Sequence, residues 1–149
     1  MFKNKKVLLV CSPYYKKITQ NLLDGAIEVL KSNSVEYKII HVPGALEIAP
    51  SIKMFSEKSP QNNLFDGFIA LGCIIRGETY HFEIVSNETA RALTELSIRY
   101  SLPIGNGILT VENKDQAIER SDPTKLNKGA DAALACLSLI NHKNNISYE

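Results

Sequence analysis

Several residue types able to move protons, stack on flat rings or hold phosphate fall beside breaks in the apolar runs of this chain. The densest group is Arg76-Gly77-Glu78-Thr79-Tyr80-His81, which directly follows the most apolar run. Gly77 permits close backbone approach or a positive φ. Thr79 suits the cap of a helix that would follow. Glu83 could close a capping box if that cap is Tyr80 or Thr79. Unpaired backbone N–H groups and the dipole at such a helix start favour an anion, phosphate above all. His81 shares the turn and is placed to give and take protons beside that anion. The plainer alternative is a capped helix with a surface histidine, and neither G-x-G-x-x-G nor the Walker pattern is present to decide for phosphate.

Other candidates are single residues, each with a bland alternative. Tyr14 and Tyr15 follow an apolar run, and either ring could stack on a heterocycle or pack on a sheet edge. Glu47 follows the Pro43-Gly44 break, where a carboxylate could hold ligand hydroxyls or serve a helix dipole. Arg120 and Lys128 flank the turn SDPTKLN and could neutralise phosphate or decorate a solvated loop. His41 reads as structural and His142 as surface. Cys73 reads as a small packing residue, since neighbours Gly72 and Ile74 supply no base.

These residues need elements to hold them. Short Val/Ile/Leu-rich runs predict strands at 6–11, 35–42, 66–75 and 103–111. Helical spacing predicts helices at 18–32, 45–58, 82–100, 114–120 and 127–142. In the second of these, Leu46, Ile48, Ile52 and Phe55 are expected inward, and Pro50 falls in the first turns, where proline is tolerated. Residues 59–64 read as a polar connection. Alternation of strand and helix predicts a mainly parallel four-stranded sheet covered on both faces, a three-layer α/β/α domain spanning residues 1–149. Such sheets bind ligands at the carboxyl ends of their strands. The candidates above all fall in turns at that edge, so the alternation predicts one pocket with an aromatic wall, a phosphate corner, an acid and a histidine.

Composition narrows the classes. Lys+Arg 17 against Asp+Glu 16 gives a formal net charge of +1, too balanced for a protein that coats nucleic acid or anionic lipid. No apolar run approaches the ~20 residues of a membrane span. The three cysteines are scattered and form no CxxC or Cys/His cluster, so a disulfide framework, a zinc site and any other metal site are unsupported. A cytoplasmic protein is expected.

The segments PGALEIAP (43–50), GCIIRGETYHFEIV (72–85), GNGILTVEN (105–113) and QAIERSDPTKLNKGADAA (116–133) together resemble the 6,7-dimethyl-8-ribityllumazine synthase family. The resemblance runs from about Val7 to the last helix. It implies a flavodoxin-like fold and the joining of 5-amino-6-(D-ribitylamino)uracil to 3,4-dihydroxy-2-butanone 4-phosphate, with release of phosphate and water and with no metal or redox cofactor. It assigns ring stacking to Tyr14, where the family often has Phe. It assigns the pyrimidine and ribityl chain to Ala45, Leu46 and Glu47, the ring lining to Cys73, Ile74 and Ile75, and the phosphate turn to Glu78 and Thr79. His81 matches the proton-transfer histidine, Arg120 the phosphate arginine and Lys128 a nearby lysine.

The chain departs from the family pattern at Asn106, where many members carry a Phe supplied by the neighbouring subunit. An amide there offers hydrogen bonds in place of a ring. The turn SDPTKLNKG also differs from a commoner glycine-containing form. The resemblance further implies homopentamers with sites between subunits, some of which build decamers or sixty-subunit shells, and names riboflavin synthase as a candidate partner. Two other classes stand beside the enzyme. A flavin- or lumazine-retaining module would bind product without releasing phosphate, and a structural shell would assemble without catalysis.

Overall fold

The computed structural model describes residues 2–57 and 64–146. Four strands form one sheet: β1 (Lys6–Cys11), β2 (Glu36–His41), β3 (Gly67–Ile75) and β4 (Ile104–Val111). Their order is β2-β1-β3-β4 and every pairing is parallel. The helices are α1 (Lys16–Ser32), α2 (Ile48–Ser56), α3 (His81–Tyr100), α4 (Lys114–Ser121) and α5 (Lys128–Asn144). This is the three-layer arrangement that the alternation of elements predicts, in the flavodoxin-like form that the resemblance implies.

The layers follow from side-chain parity in the strands. Val7, Leu9, Cys11, Ile69, Leu71 and Cys73 point to one face, where Ile18, Leu22, Ala26 and Leu30 of α1 meet them together with Ala133, Cys136, Leu137 and Ile140 of α5. Leu8, Val10, Phe68, Ala70 and Ile104 point to the other, against Ile48 and Ile52 of α2 and Leu93 of α3. Because β1 and β3 are covered on both faces, their sequences are uninterrupted apolar runs. Edge strand β2 instead alternates between exposed and half-buried positions.

The first strand matches its expected limits and the other elements shift by one or two residues, apart from the second helix. The 45–58 segment is divided. Ala45–Glu47 is a 3-10 turn, and the α-helix proper begins at Ile48, so Pro50 lies in its first turn and costs no interior hydrogen bond. Leu46 belongs to the tighter turn and is exposed, not inward, whereas Ile48 and Ile52 are fully buried. Residue 58 and most of the 59–64 connection lie outside the described residues.

Two glycines permit close contact in the α1/α5 layer. A Cβ at Gly105 of β4 would fall on the backbone carbonyl of Ala132 in α5, and one at Gly129 would fall on the carbonyl of Leu22 in α1. The obstacle is main chain in both cases, so no rotamer change relieves it. We expect Gly105→Ala to lower unfolding free energy by about 3 kcal/mol, the cost of overpacking a dense core, read as a lower urea midpoint at unchanged slope.

Candidate active site

The carboxyl ends of β1 and β3 open into a cleft of about 520 Å³. Three turns form its walls. The first leaves β1 at Ser12, whose N–H donates to the Leu71 carbonyl at 2.9 Å and whose carbonyl accepts from Thr19 Oγ1 at 2.9 Å. This anchors Tyr14 and Tyr15, which meet edge to face with centroids 5.0 Å apart. The two rings differ in setting: Tyr15 packs on the core, while Tyr14 is 74% exposed. Tyr14 is therefore the ring with a face to offer. The second turn carries Pro43, Gly44, Ala45, Leu46 and Glu47, with the Glu47 N–H donating to the Gly44 carbonyl at 3.2 Å. The third is the end of β3 and the start of α3, lining the cleft with Cys73, Ile74, Ile75, Gly77, Thr79 and His81.

His81 is the first residue of α3 and is exposed. Its backbone N–H points toward Thr79 Oγ1 at 3.4 Å. The helix is capped at Tyr80 without a side-chain bond, so the expected capping box does not form. Glu83 turns instead to Arg76, whose guanidinium holds its carboxyl below the ordinary carboxylate range. At the start of α3 the His81 N–H thus faces Thr79 Oγ1, and the Glu83 carboxylate also accepts from its own backbone N–H. Gly77 uses no positive φ, and a Cβ there would meet nothing within 4 Å, so the left-handed freedom considered for it is not needed. Glu78 is exposed on the same turn but does not line the cleft.

Burial pushes the Cys73 thiol up to about 12, which keeps it a neutral packing group at physiological pH. Cys11 and Cys136 are raised to about 12 by the same cause. The sign of the linkage is definite. Unfolded thiols ionise near 9, while these hold their protons to about 12, so the native state binds more protons between those values. Stability is expected to be complete below pH 9 and to fall as pH rises toward 12, and Cys73→Ala should remove part of that slope in urea titrations.

Arg120, Lys128 and Asn106 do not join this cleft. They line a second one, about 460 Å³, between β4, α4 and α5. The start of α4 is held by a reciprocal pair: Asn113 Oδ1 accepts from the Gln116 N–H at 2.9 Å, and Gln116 Oε1 accepts from the Glu112 N–H at 2.8 Å. The buried contact of Asn21 Nδ2 with Ser121 Oγ, 3.4 Å, fixes the far end on α1. Arg120 rides on that helix; Nη1 lies 3.3 Å from the Gln116 carbonyl and 3.9 Å from Glu119 Oε2, leaving its fork unclaimed by a close carboxylate. Lys128 pairs with Asp131 at 3.0 Å. Asn106 Oδ1 accepts from the Ile108 N–H at 2.9 Å. The turn between α4 and α5 is ordered by Asp122, whose carboxylate accepts from Thr124 N–H and Oγ1 at 2.8 and 2.7 Å.

Where the alternation predicts a single pocket, the chain has two clefts: aromatic, carboxylate and imidazole groups line one, and cations and an amide line the other. His41 and His142 are exposed outside both clefts. Phe82 and Val85 also line the first cleft. Val85 lies four residues after His81, so its helical spacing was the signal for it, whereas Phe82, the next residue along, carried no such signal. Among the described residues, no group of three or more His, Cys, Asp or Glu is placed to hold a metal ion, and no helix is long and apolar enough to cross a membrane.

Residues 4–144 match the model of the family described as 6,7-dimethyl-8-ribityllumazine synthase. The chain is 51% identical over 141 residues to the protein of that name from Bartonella tribocorum, covering 94% of this chain and 91% of the relative. It is 46% identical over 142 residues to the one from Zymomonas mobilis, covering 95% and 99%. With 6,7-dimethyl-8-ribityllumazine synthase 1 of Rhizobium meliloti it shares 46% over 144 residues, covering 96% and 94%.

Proposed function

As the chain belongs to the 6,7-dimethyl-8-ribityllumazine synthase family, we propose that its active site is completed between two subunits, the His81 cleft of one facing the Arg120 cleft of the next. The reaction is the condensation of 5-amino-6-(D-ribitylamino)uracil with 3,4-dihydroxy-2-butanone 4-phosphate to 6,7-dimethyl-8-ribityllumazine, releasing phosphate and water in riboflavin biosynthesis. The observation that carries the composite site is the segregation of the site residues into two clefts of one chain.

Each residue has a role in this reading. Tyr14 stacks on the pyrimidine. Ile74, Ile75 and neutral Cys73 line the ring, while Ala45, Leu46 and Glu47 hold its polar edge and the ribityl chain. Glu78 and Thr79 shape the phosphate turn at the mouth of α3. Arg120, with Lys128 beside it, binds the phosphate from the neighbour, and Asn106 offers its amide at the same junction. The pyrimidine amine attacks the butanone carbonyl and loses water to give an imine. A proton then leaves carbon as the phosphate departs, and the ribityl-bearing nitrogen closes the ring with loss of a second water. His81 takes and returns protons through these steps. Arg120 and the α3 N–H groups stabilise charge on the departing phosphate. Holding two substrates in line supplies much of the rate, since orientation is worth up to about 7–11 kcal/mol.

A ring fits the surface. Tyr80, Ile84 and Ile98 are exposed on or beside α3, and Leu126, Leu134 and Leu139 on or before α5, in the opposite layer. Different exposed apolar residues in opposite layers favour a head-to-tail contact, the type from which closed rings are built. The pentamer, its decameric or sixty-subunit forms, and association with riboflavin synthase belong to this proposal on resemblance. A cytoplasmic location fits three buried, unpaired thiols. The test is a two-substrate assay beside a native mass measurement. Phosphate release and a new ultraviolet-absorbing product are expected only with both substrates, from a particle larger than one chain. A fully active monomer overturns the composite site.

A further inference from the structure

Arg76 lines neither cleft, yet it makes the most connected side-chain network near His81. Its Nε donates to Glu112 Oε2 at 2.7 Å and its Nη1 donates to Glu83. The same guanidinium lies 4.4 Å from the centroid of Phe82, which lines the His81 cleft. One cation therefore spans the end of β3, the first turn of α3 and the turn that enters α4.

The charges around it explain why this matters. The mouth of α3 carries Glu78 and Glu83 on the turn and first helical residues, with Glu112 at the end of the adjacent strand. An incoming phosphate meets negative side chains here, while Arg120 and Lys128 of the same chain lie in the other cleft. With Arg76 in place, the trio Arg76, Glu83 and Glu112 carries one net negative charge; without it, two. The fork geometry engages both carboxylates at once, which a lysine point charge would not reproduce.

We infer that Arg76 determines affinity for the phosphate-bearing substrate by engaging Glu83 and Glu112 and so keeping their charge from the mouth of α3. It is a positioning residue that acts through those carboxylates and does not touch substrate. The inference rests on the phosphate site proposed above, but it fails on different variants: loss of that site is read from Arg120→Ala, and loss of this one from the Arg76 series.

The test is steady-state kinetics with both substrates at low and at high salt. Arg76→Ala should raise KM for the butanone phosphate about fivefold at low ionic strength and less than about twofold near 0.5 M salt, because screening shortens the reach of exposed charges. KM for the pyrimidine and kcat should stay within about twofold of the parent. The triple variant Arg76→Ala, Glu83→Gln, Glu112→Gln should return KM for the phosphate substrate close to the parent value although the clamp is gone. Glu83→Gln, Glu112→Gln with Arg76 intact should lower that KM by about threefold, and this variant decides the matter if Arg76→Ala does not fold. A fall in kcat alone, a KM shift indifferent to salt, an unrescued triple variant or an unchanged KM in the double variant overturns the inference.

Discussion

His81→Ala is expected to lower kcat by about a hundredfold while KM for the pyrimidine stays within about twofold, since a positioned proton shuttle contributes ~10² to 10⁴ and water can serve some of these transfers in its place. The split follows from position. His81 stands at the first turn of α3 on one wall of the cleft, whereas ring binding falls to Tyr14, Ile74 and Ile75 on the β1 and β3 turns. Truncating an exposed imidazole removes no core packing, so the urea midpoint should not move. Stopped-time assays of phosphate release give kcat, and product or pyrimidine titration gives binding. An unaltered kcat removes His81 from the mechanism.

Arg120→Ala is expected to raise KM for the butanone phosphate by about tenfold to a hundredfold, the range for losing a hydrogen bond to a charged group. Its own contacts in the chain, 3.3 and 3.9 Å, are long and only half-buried, so stability should be little affected. The stronger test mixes the two variants. If His81 and Arg120 of one site come from different subunits, equal amounts of His81→Ala and Arg120→Ala chains, co-assembled at random in a ring, rebuild about a quarter of the sites with both residues intact. With the butanone phosphate held below the parental KM, where each variant alone is slow, the mixture should recover about a quarter of the parental rate, far above either variant alone. Recovery no greater than the average of the two variants would falsify the shared site.

Much of the architecture is legible in residue order. Runs such as VLLV and FIALGCII announce strands buried on both faces, and Ile18, Leu22, Ala26 and Leu30 at intervals of four announce the helix that covers them. The division of 45–58 is less legible, because a 3-10 turn and an α-helix share nearly the same apolar spacing over three residues. Leu46 accordingly turns outward. The capping box at Glu83 failed for a related reason: Arg76, seven residues earlier, offers a full charge where the helix offers a backbone N–H.

The identities and order of the elements, the parallel sheet and the residue types suited to heterocycle, phosphate and proton transfer were written in the sequence, because local periodicity and turn chemistry act over a few residues. Which tyrosine shows its face, and the placing of His81 and Arg120 in separate clefts of one chain, came with tertiary structure; the resemblance implied sites shared between subunits, but residue order alone implied one pocket. Register between β3 and β4 and the docking of α4 on α1 join residues up to 100 positions apart, and no local pattern encodes such distances.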